Sequence, residues 1–135
     1  MNTAPGGDKT VLIIEDDEAS QYIYGAILEH AGYHVVRARS GDAAARMLAD
    51  LTPDLVVMDL GLPGVDGFDL TSSIRADPRT RHVPVLVVTV HVFPQDRKRA
   101  AEVGSTDFMP KPLDPSSLLV RVESLIGPAR RAGSS

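Results

Sequence analysis

The sequence contains no cysteine and no long apolar run. Without cysteine, the chain cannot form disulfides, zinc–thiolate centres or thiol nucleophiles, and this absence is typical of cytoplasmic proteins. The longest apolar stretch, residues 83–90, is broken by Pro84 and Thr89 and falls short of the ~20 residues that a membrane-spanning helix needs. Residues 1–9 lack the basic-then-apolar order of a secretion signal. We therefore expect a cytoplasmic protein without a membrane partner.

Positive charge is also scarce. The chain has 14 Lys and Arg against 18 Asp and Glu, and its net charge is −4. Nonspecific nucleic-acid binding needs a basic face, so we expect no direct contact with nucleic acid. The length of 135 residues and the hydrophobic content of 43% are typical of one globular domain with a substantial core.

Residues 55–64, which read LVVMDLGLPG, are the most informative stretch of the chain. Four apolar residues end abruptly at Asp59, and the glycines and proline that follow favour a loop. Such a run is typical of a strand that is buried on both faces of a sheet. Asp59 would then lie at the carboxyl end of a central strand, which is the edge where open α/β sheets bind ligands. An earlier apolar strand ends in the same way, at the acidic run Glu15-Asp16-Asp17.

Hydrophobic periodicity and turn residues divide the chain into five strand–helix repeats. The predicted strands cover residues 10–14, 34–38, 55–58, 85–88 and 107–109, and the helices between and after them include residues 43–51 and 95–103. Crossover helices between strands imply a parallel sheet with right-handed connections. We expect one α/β domain over residues 9–127, with a disordered tail at residues 1–8 and a flexible tail at residues 128–135.

Two helices deserve separate predictions. In the first, Ile23, Ile27 and Ala31 recur at i, i+4 and i+8, which predicts a helix with these residues on one face. The fourth, residues 95–103, is mostly polar, with few apolar residues to bury. A helix of this kind is weakly anchored and is suited to move.

The residues that follow the strands form an unusual set. Asp16 and Asp17 follow the first strand, Asp59 the third, Thr89 the fourth and Lys111 the fifth. In a parallel sheet these ends share one edge, so we expect three carboxylates, a hydroxyl and an ammonium group to converge. Each residue alone has an ordinary use as a cap, a strand hydroxyl or a solvated charge. Their coincidence at one edge predicts a functional site.

The chemistry of this set favours phosphoryl transfer. Three close carboxylates repel one another unless a cation lies among them, and hard oxygen ligands suit Mg²⁺. Mg²⁺ and Lys111 can neutralise phosphoryl oxygens, and Thr89 can donate a hydrogen bond. A carboxylate can itself be the nucleophile, because its attack on phosphorus gives an acyl phosphate.

With these residues, the chain resembles the receiver domain of two-component response regulators. The resemblance implies a doubly wound, flavodoxin-like parallel sheet of five strands in the order 2-1-3-4-5, with five helices. It extends over about residues 9–127 and is carried by Glu15-Asp16-Asp17, the Asp59 loop with Leu62-Pro63 and Asp66-Gly67, Thr89, Phe108 and Lys111-Pro112.

The resemblance also implies the phosphorylation chemistry. Asp59 would accept a phosphoryl group from a phosphohistidine on a sensor histidine kinase or a histidine phosphotransfer protein. Mg²⁺ would be held by Asp16, Asp17 and Asp59 and by the backbone carbonyl of Gly61, with Asp17 the more direct acid ligand and Asp16 acting through water. The protein would catalyse only its own phosphorylation and dephosphorylation and would not be an enzyme in the ordinary sense.

The switch follows from the same resemblance. Lys111 would pair with the phosphoryl oxygens, Thr89 would move to hydrogen-bond them, and Phe108 would report that movement by turning inward or outward. The Lys111–Pro112 peptide bond would be cis. Helix 4, strand 5 and helix 5 would present the output surface to a downstream protein. The sequence leaves open whether the same surface forms a homodimer.

Two positions near the expected site depart from the residues common in this family. Gly61 offers no side chain, and Val90 is bulkier than the Ala or Gly common in this family. We expect Val90 to narrow access for small phosphodonors, so that Val90→Ala speeds labelling by them. Gly61 is expected to alter the lifetime of the acyl phosphate, in a direction that the sequence leaves open. His91 is a candidate for lining the mobile loop.

Other functions remain as alternatives. The chain would be a stand-alone regulator, and it could also be a relay intermediate, a phosphate sink or a receiver-like scaffold that is never phosphorylated. An aspartate-nucleophile phosphatase would need Asp-x-Asp after the first strand, where residues 16–19 instead read DDEA. A flavin or nucleotide site would need a glycine-rich phosphate loop, which the strand ends lack.

Overall fold

The computed structural model describes residues 8–129, and the predictions for residues 1–7 and 130–135 lie outside that range. Five strands and five helices alternate along the chain, as predicted. The elements are β1 (Thr10–Ile14), α1 (Glu18–His30), β2 (His34–Ala38), α2 (Gly41–Leu48), β3 (Leu55–Met58), α3 (Gly67–Ala76), β4 (Val85–Thr89), α4 (Pro94–Glu102), β5 (Asp107–Pro110) and α5 (Pro115–Ile126).

The strands form one parallel sheet in the order β2-β1-β3-β4-β5, which confirms the predicted topology. Ile14 of β1 pairs with Met58 of β3, and Met58 pairs with Val87 of β4. The three central strands therefore end near the same level. The residues that follow them face a common edge of the sheet.

Helices cover both faces of this sheet. Successive side chains of a strand point to opposite faces. Leu12 and Ile14 of β1 pack in a cluster with residues of α2, α3 and α4, whereas Val11 and Ile13 pack with residues of α1 and α5. All five residues of β1 and all five of β4 are buried. The functional edge thus rests on strands that are enclosed on both sides.

Capping side chains fix where four of the helices begin. Asp17, Ser40, Asp66 and Asp114 each accept a hydrogen bond from a backbone N–H in the first turn of α1, α2, α3 and α5. The residue before α4 is Phe93, which has no side-chain acceptor, and there the Asp96 carboxylate accepts the Phe93 N–H at 3.1 Å. Helix α2 begins at Gly41, directly after the Ser40 cap, and ends at Leu48, whereas residues 43–51 were predicted.

The residues predicted to share one face of α1 are not its most buried residues. Ile23 is 44% exposed, and Ile27 and Ala31 are only partly buried. Gln21 is buried instead, because its amide nitrogen donates to three backbone carbonyls at the ends of β1 and β2. Hydrophobic periodicity cannot identify a polar residue that is buried to satisfy strand ends. The remaining buried residues of α1 are Tyr24, Gly25 and Leu28.

A residue beyond α5 packs against the start of the domain. Ala129 is buried, and its carbonyl accepts the Lys9 N–H at 2.9 Å. Within residues 8–129, none of the helices has the length and apolar character required to cross a bilayer.

Candidate functional site

Asp59 lies one residue beyond β3 and is 8% exposed. Its Oδ1 accepts hydrogen bonds from the Gly61 N–H at 3.0 Å and from the Thr89 hydroxyl at 2.8 Å. Its Oδ2 accepts one from the Lys111 ammonium at 3.0 Å. Donors from β4, the Asp59 loop and the segment after β5 therefore meet on one carboxylate, as the strand ends predicted.

Lys111 bridges two acids. Its ammonium group also donates to Glu15 Oε1, and the other oxygen of Glu15 accepts the Asp17 N–H at 3.0 Å. Glu15 is 2% exposed and follows β1 directly, so its position corresponds to that of Asp59 after β3. The sequence pattern alone assigns Glu15 no separate role. The strand boundary at Ile14 was the signal that could have identified it, because the first acid after a strand lies at the sheet edge.

Three carboxylates converge at this edge. One oxygen each from Glu15, Asp16 and Asp59 lie within 4.8 Å of one another. Glu15 and Asp59 are buried, whereas Asp16 is exposed and can exchange its solvent for a ligand. Three hard oxygen donors with one open side suit Mg²⁺, which keeps several waters when it binds protein carboxylates.

The structure does not bring Asp17 into this group. Its carboxylate accepts hydrogen bonds from the backbone N–H and the hydroxyl of Ser20, at 2.9 Å and 2.7 Å, and caps α1. The hydrogen bonds from Ser20 hold the pKa of Asp17 below its ordinary value. The geometry therefore does not support the prediction of Asp17 as the more direct metal ligand, because Asp16, and not Asp17, lies with Glu15 and Asp59.

Electrostatics favour an ionised Asp59. Burial acts to raise its pKa, but the hydrogen bonds from Gly61, Thr89 and Lys111 outweigh burial and leave that pKa lowered. Burial likewise acts to lower the pKa of Lys111, yet its bonds to Glu15 and Asp59 leave it raised. For Glu15 burial prevails, and its pKa is raised although Lys111 opposes the shift. The site therefore combines a charged lysine with an ionised Asp59 carboxylate.

Thr89 connects Asp59 to the loop before α4. The residue is fully buried. Its hydroxyl oxygen accepts a hydrogen bond from the His91 N–H at 3.1 Å, and the same hydroxyl donates one to Asp59 Oδ1. A rotation of this hydroxyl would therefore affect both the carboxylate and the loop backbone. Val90, which lies between Thr89 and His91 in the sequence, is 61% exposed and lines a cavity of about 400 Å³ together with Lys111.

His91 lies against Gly61. A Cβ built on Gly61 would stand 2.6 Å from His91 Nε2, so the imidazole occupies the space that a side chain at position 61 would fill. The absence of a side chain at Gly61 does not leave this side of Asp59 open. The sequence marked Gly61 as a departure from the family and His91 as a candidate for lining the mobile loop, but their contact joins two loops and could not be predicted from it.

Phe108 lies on β5 and is partly buried against the cluster that contains residues of α3 and α4. The guanidinium carbon of Arg97 stands 4.5 Å from the centre of its ring. Because Phe108 pairs with Val87 of β4, it shares a sheet face with Thr89, two residues further along that strand. The Lys111–Pro112 peptide bond is cis, as the resemblance implied.

Comparison with known proteins agrees with this geometry. The family model described as the response regulator receiver domain matches residues 11–123. The DNA-binding dual master transcriptional regulator RpaA of Synechocystis is 39% identical over 116 residues, which are 86% of this chain and 48% of RpaA. The chain therefore spans about half the length of that regulator. The polar-differentiation response regulator DivK of Brucella ovis is 32% identical over 121 residues, which are 90% of this chain and 98% of DivK.

A solved structure of similar size gives the same result. The receiver domain of a Pseudomonas aeruginosa sensor histidine kinase, with a magnesium ion coordinated in its active-site cleft, superposes with a TM-score of 0.82 at 30% identity. The match covers 90% of this chain and 99% of that domain. The sheet order, the acidic edge and these matches agree, and the chain belongs to the response regulator receiver domain family.

Proposed function

We propose that this protein accepts a phosphoryl group on Asp59 from a phosphohistidine, in a Mg²⁺-dependent reaction, and that the phosphorylated form changes its protein contacts. Receiver domains are signalling proteins that work with histidine kinases in two-component systems. The observation that carries the proposal is the arrangement of Asp59. Its carboxylate is held by Lys111, Thr89 and Gly61, next to the two acids Glu15 and Asp16.

The reaction requires an ionised nucleophile. An oxygen of the Asp59 carboxylate attacks the phosphorus of the phosphohistidine, a P–O bond forms, and the P–N bond breaks with its electron pair returning to the imidazole nitrogen. The lowered pKa of Asp59 keeps the carboxylate charged for this attack. Lys111 supplies a positive charge for the phosphoryl oxygens, and the Thr89 hydroxyl can turn from Asp59 towards one of them.

The acidic group fits a Mg²⁺ ion. Asp16 and Asp59 would hold it through carboxylate oxygens, and the backbone carbonyl of Gly61 would be a further ligand. When bound, the ion would neutralise charge on the carboxylates and on the incoming phosphoryl group. Glu15 would contribute mainly by orienting Lys111, since the two side chains are already paired. Asp17 stays in its cap and is not part of this proposal.

The response would spread through Thr89. Its movement towards the phosphoryl group would free space beside Phe108 on the same face of the sheet. The loop before α4 would follow, because the His91 N–H is bonded to the Thr89 hydroxyl. The output surface would be the face of α4, β5 and α5. Phosphorylation would shift a two-state equilibrium that exists already in the unmodified protein.

Phosphotransfer from a panel of purified, autophosphorylated histidine kinases tests this function directly. We expect rapid, Mg²⁺-dependent transfer from at least one kinase to the wild-type protein and none to the Asp59→Asn variant, which keeps the size of the side chain. EDTA should abolish transfer. If Asp59→Asn is labelled as well as the wild type, Asp59 is not the acceptor. If neither kinases nor beryllofluoride, an acyl-phosphate analogue, produce a response, the protein is a scaffold.

A further inference from the structure

Helix α4 is attached to the domain in an unusual way. Ala100 is its only buried residue, whereas every other helix buries at least two. Its side chains at positions 97, 98 and 99 are all basic and exposed. Apolar packing alone therefore holds this helix weakly.

Two arginines supply contacts that apolar packing lacks. The guanidinium carbon of Arg97 lies 4.5 Å from the ring centre of Phe108 on β5, and that of Arg99 lies 4.1 Å from the ring centre of Phe68 on α3. Both separations are within the ~6 Å range of a cation–π interaction. The two arginines are two residues apart, so they leave the helix in different directions and reach the elements on its two sides.

The aromatic rings, and not carboxylates, are the interaction partners of these two arginines. Among the ion pairs within residues 8–129, none involves Arg97 or Arg99. Both side chains are long, with several rotatable bonds, and would otherwise sample many conformations in solvent. In the described part of the chain, each guanidinium therefore has an aromatic ring, and not a carboxylate, as its partner.

Phe108 is the more consequential of the two rings. It shares a sheet face with Thr89, and it lies in the partly buried position while the Thr89 hydroxyl is bonded to Asp59. Movement of the ring deeper into the space beside Thr89 would take it away from the guanidinium of Arg97. The contact with Arg97 thus favours the conformation in which Thr89 remains with Asp59.

We propose that Arg97 is a positioning residue for Phe108, which holds the ring in its partly buried position and so opposes the switch that follows phosphorylation. This inference rests on the proposed function. It adds a residue that sets how readily Phe108 moves after phosphorylation. Arg99, on Phe68, holds the other flank of α4 and would stay attached when Phe108 moves. The helix would then pivot about its α3 side.

The test compares Arg97→Gln with Lys98→Gln, a matched control that removes the same charge from the same helix without touching a ring. The response to beryllofluoride is titrated in the presence of Mg²⁺ and followed through the NMR signals of ¹³C-labelled Phe108. We expect Arg97→Gln to lower the half-saturating concentration by about two- to fivefold, the size expected of one exposed cation–π contact. Arg97→Lys, which retains the charge, should lie between Arg97→Gln and the wild type. Equal midpoints for Arg97→Gln and Lys98→Gln would overturn the proposal.

A second measurement separates this inference from the proposed function. In the unliganded proteins, Arg97→Gln should shift the Phe108 ring resonances and broaden its population of conformers, and Lys98→Gln should not. If the wild-type protein ignores beryllofluoride, the proposed function fails, but these resonances still decide whether Arg97 positions the ring. Unchanged Phe108 resonances in Arg97→Gln would reject the positioning role even if phosphorylation proceeds normally.

Discussion

The central strands and α4 lie at opposite extremes of burial in the same domain. Every residue of β1, β3 and β4 is buried. Helix α4 buries only one alanine, and two of its arginines contact aromatic rings of neighbouring elements. The acids and Thr89 are fixed to the first region, and the expected output surface includes the second. A reaction needs precise positions, and a response needs an element that moves at low cost. The domain provides both by burying one region and leaving the other nearly unpacked.

Truncation in each region should give the largest contrast in stability. Leu86 of β4 is fully buried, so Leu86→Ala should lower the free energy of unfolding by about 2–5 kcal/mol through lost burial and a cavity. Lys98→Ala in α4 should change it by less than about 0.5 kcal/mol. Urea unfolding followed by circular dichroism measures both. Similar losses for the two variants would break the distinction between a rigid and a loosely held region.

The neighbouring acids Asp16 and Asp17 should separate a metal ligand from a structural cap. Asp16→Asn should weaken Mg²⁺ binding by roughly tenfold or more, since ligand losses of this kind are large, and should leave stability almost unchanged. Asp17→Ala should cost about 1 kcal/mol of stability because α1 loses its cap, with Mg²⁺ affinity retained.

Isothermal titration with Mg²⁺, together with thermal unfolding of the metal-free proteins, gives both quantities. The reverse pattern, in which Asp17→Ala abolishes Mg²⁺ binding, would restore the ligand assignment made from sequence.

At Val90, between the buried strands and α4, we expect a smaller effect, on the rate of labelling by a small phosphodonor. It is largely exposed and lines the cavity beside Lys111. Val90→Ala should widen the approach to Asp59 and raise the rate of labelling by acetyl phosphate, a small donor, by about two- to fivefold, the effect of removing a modest steric barrier. Transfer from a kinase should change less, because its phosphohistidine is delivered by a docked protein. An unchanged acetyl phosphate rate would show that Val90 does not limit access.

The smallest expected effect is on the pH dependence of stability at alkaline pH, through a tyrosine that lies outside the site. Tyr33 donates a hydrogen bond to the Gly127 carbonyl, and burial raises its pKa to about 12. An unfolded tyrosine loses its proton near pH ~10, so the folded state is stabilised below that pH and loses this advantage as pH rises towards 12. Tyr33→Phe should therefore flatten the fall in unfolding free energy between these values. Parallel curves for the two proteins would contradict the assignment.

Much of the fold could be predicted because its elements have local signals. Strands such as residues 55–58 are bounded by turn residues, and Asp114 with Pro115 marks the start of α5. The predicted ends of the parallel strands were sufficient to predict that Asp59, Thr89 and Lys111 lie close together. The remaining features depend on contacts between distant parts of the chain.

Two features show what sequence patterns lack. Glu15 and Asp17 are both acids near the end of β1, and only the strand boundary and the Ser20 cap decide which carboxylate faces the site. Gln21 is buried although it is polar, because it satisfies carbonyls of β1 and β2. Similarly, the stacking of Arg97 on Phe108 joins residues of two elements and has no periodic signal.

The most direct test of the central claim is to locate the phosphoryl group after transfer from a histidine kinase. Borohydride reduces an aspartyl phosphate to homoserine, and mass spectrometry of peptides then identifies the modified position. Because Asp59 is the carboxylate held between Lys111, Thr89 and the acidic group, we expect homoserine at position 59 and at no other aspartate. Homoserine at position 16 or 17 instead, or phosphate retained on a histidine such as His91, would contradict the account.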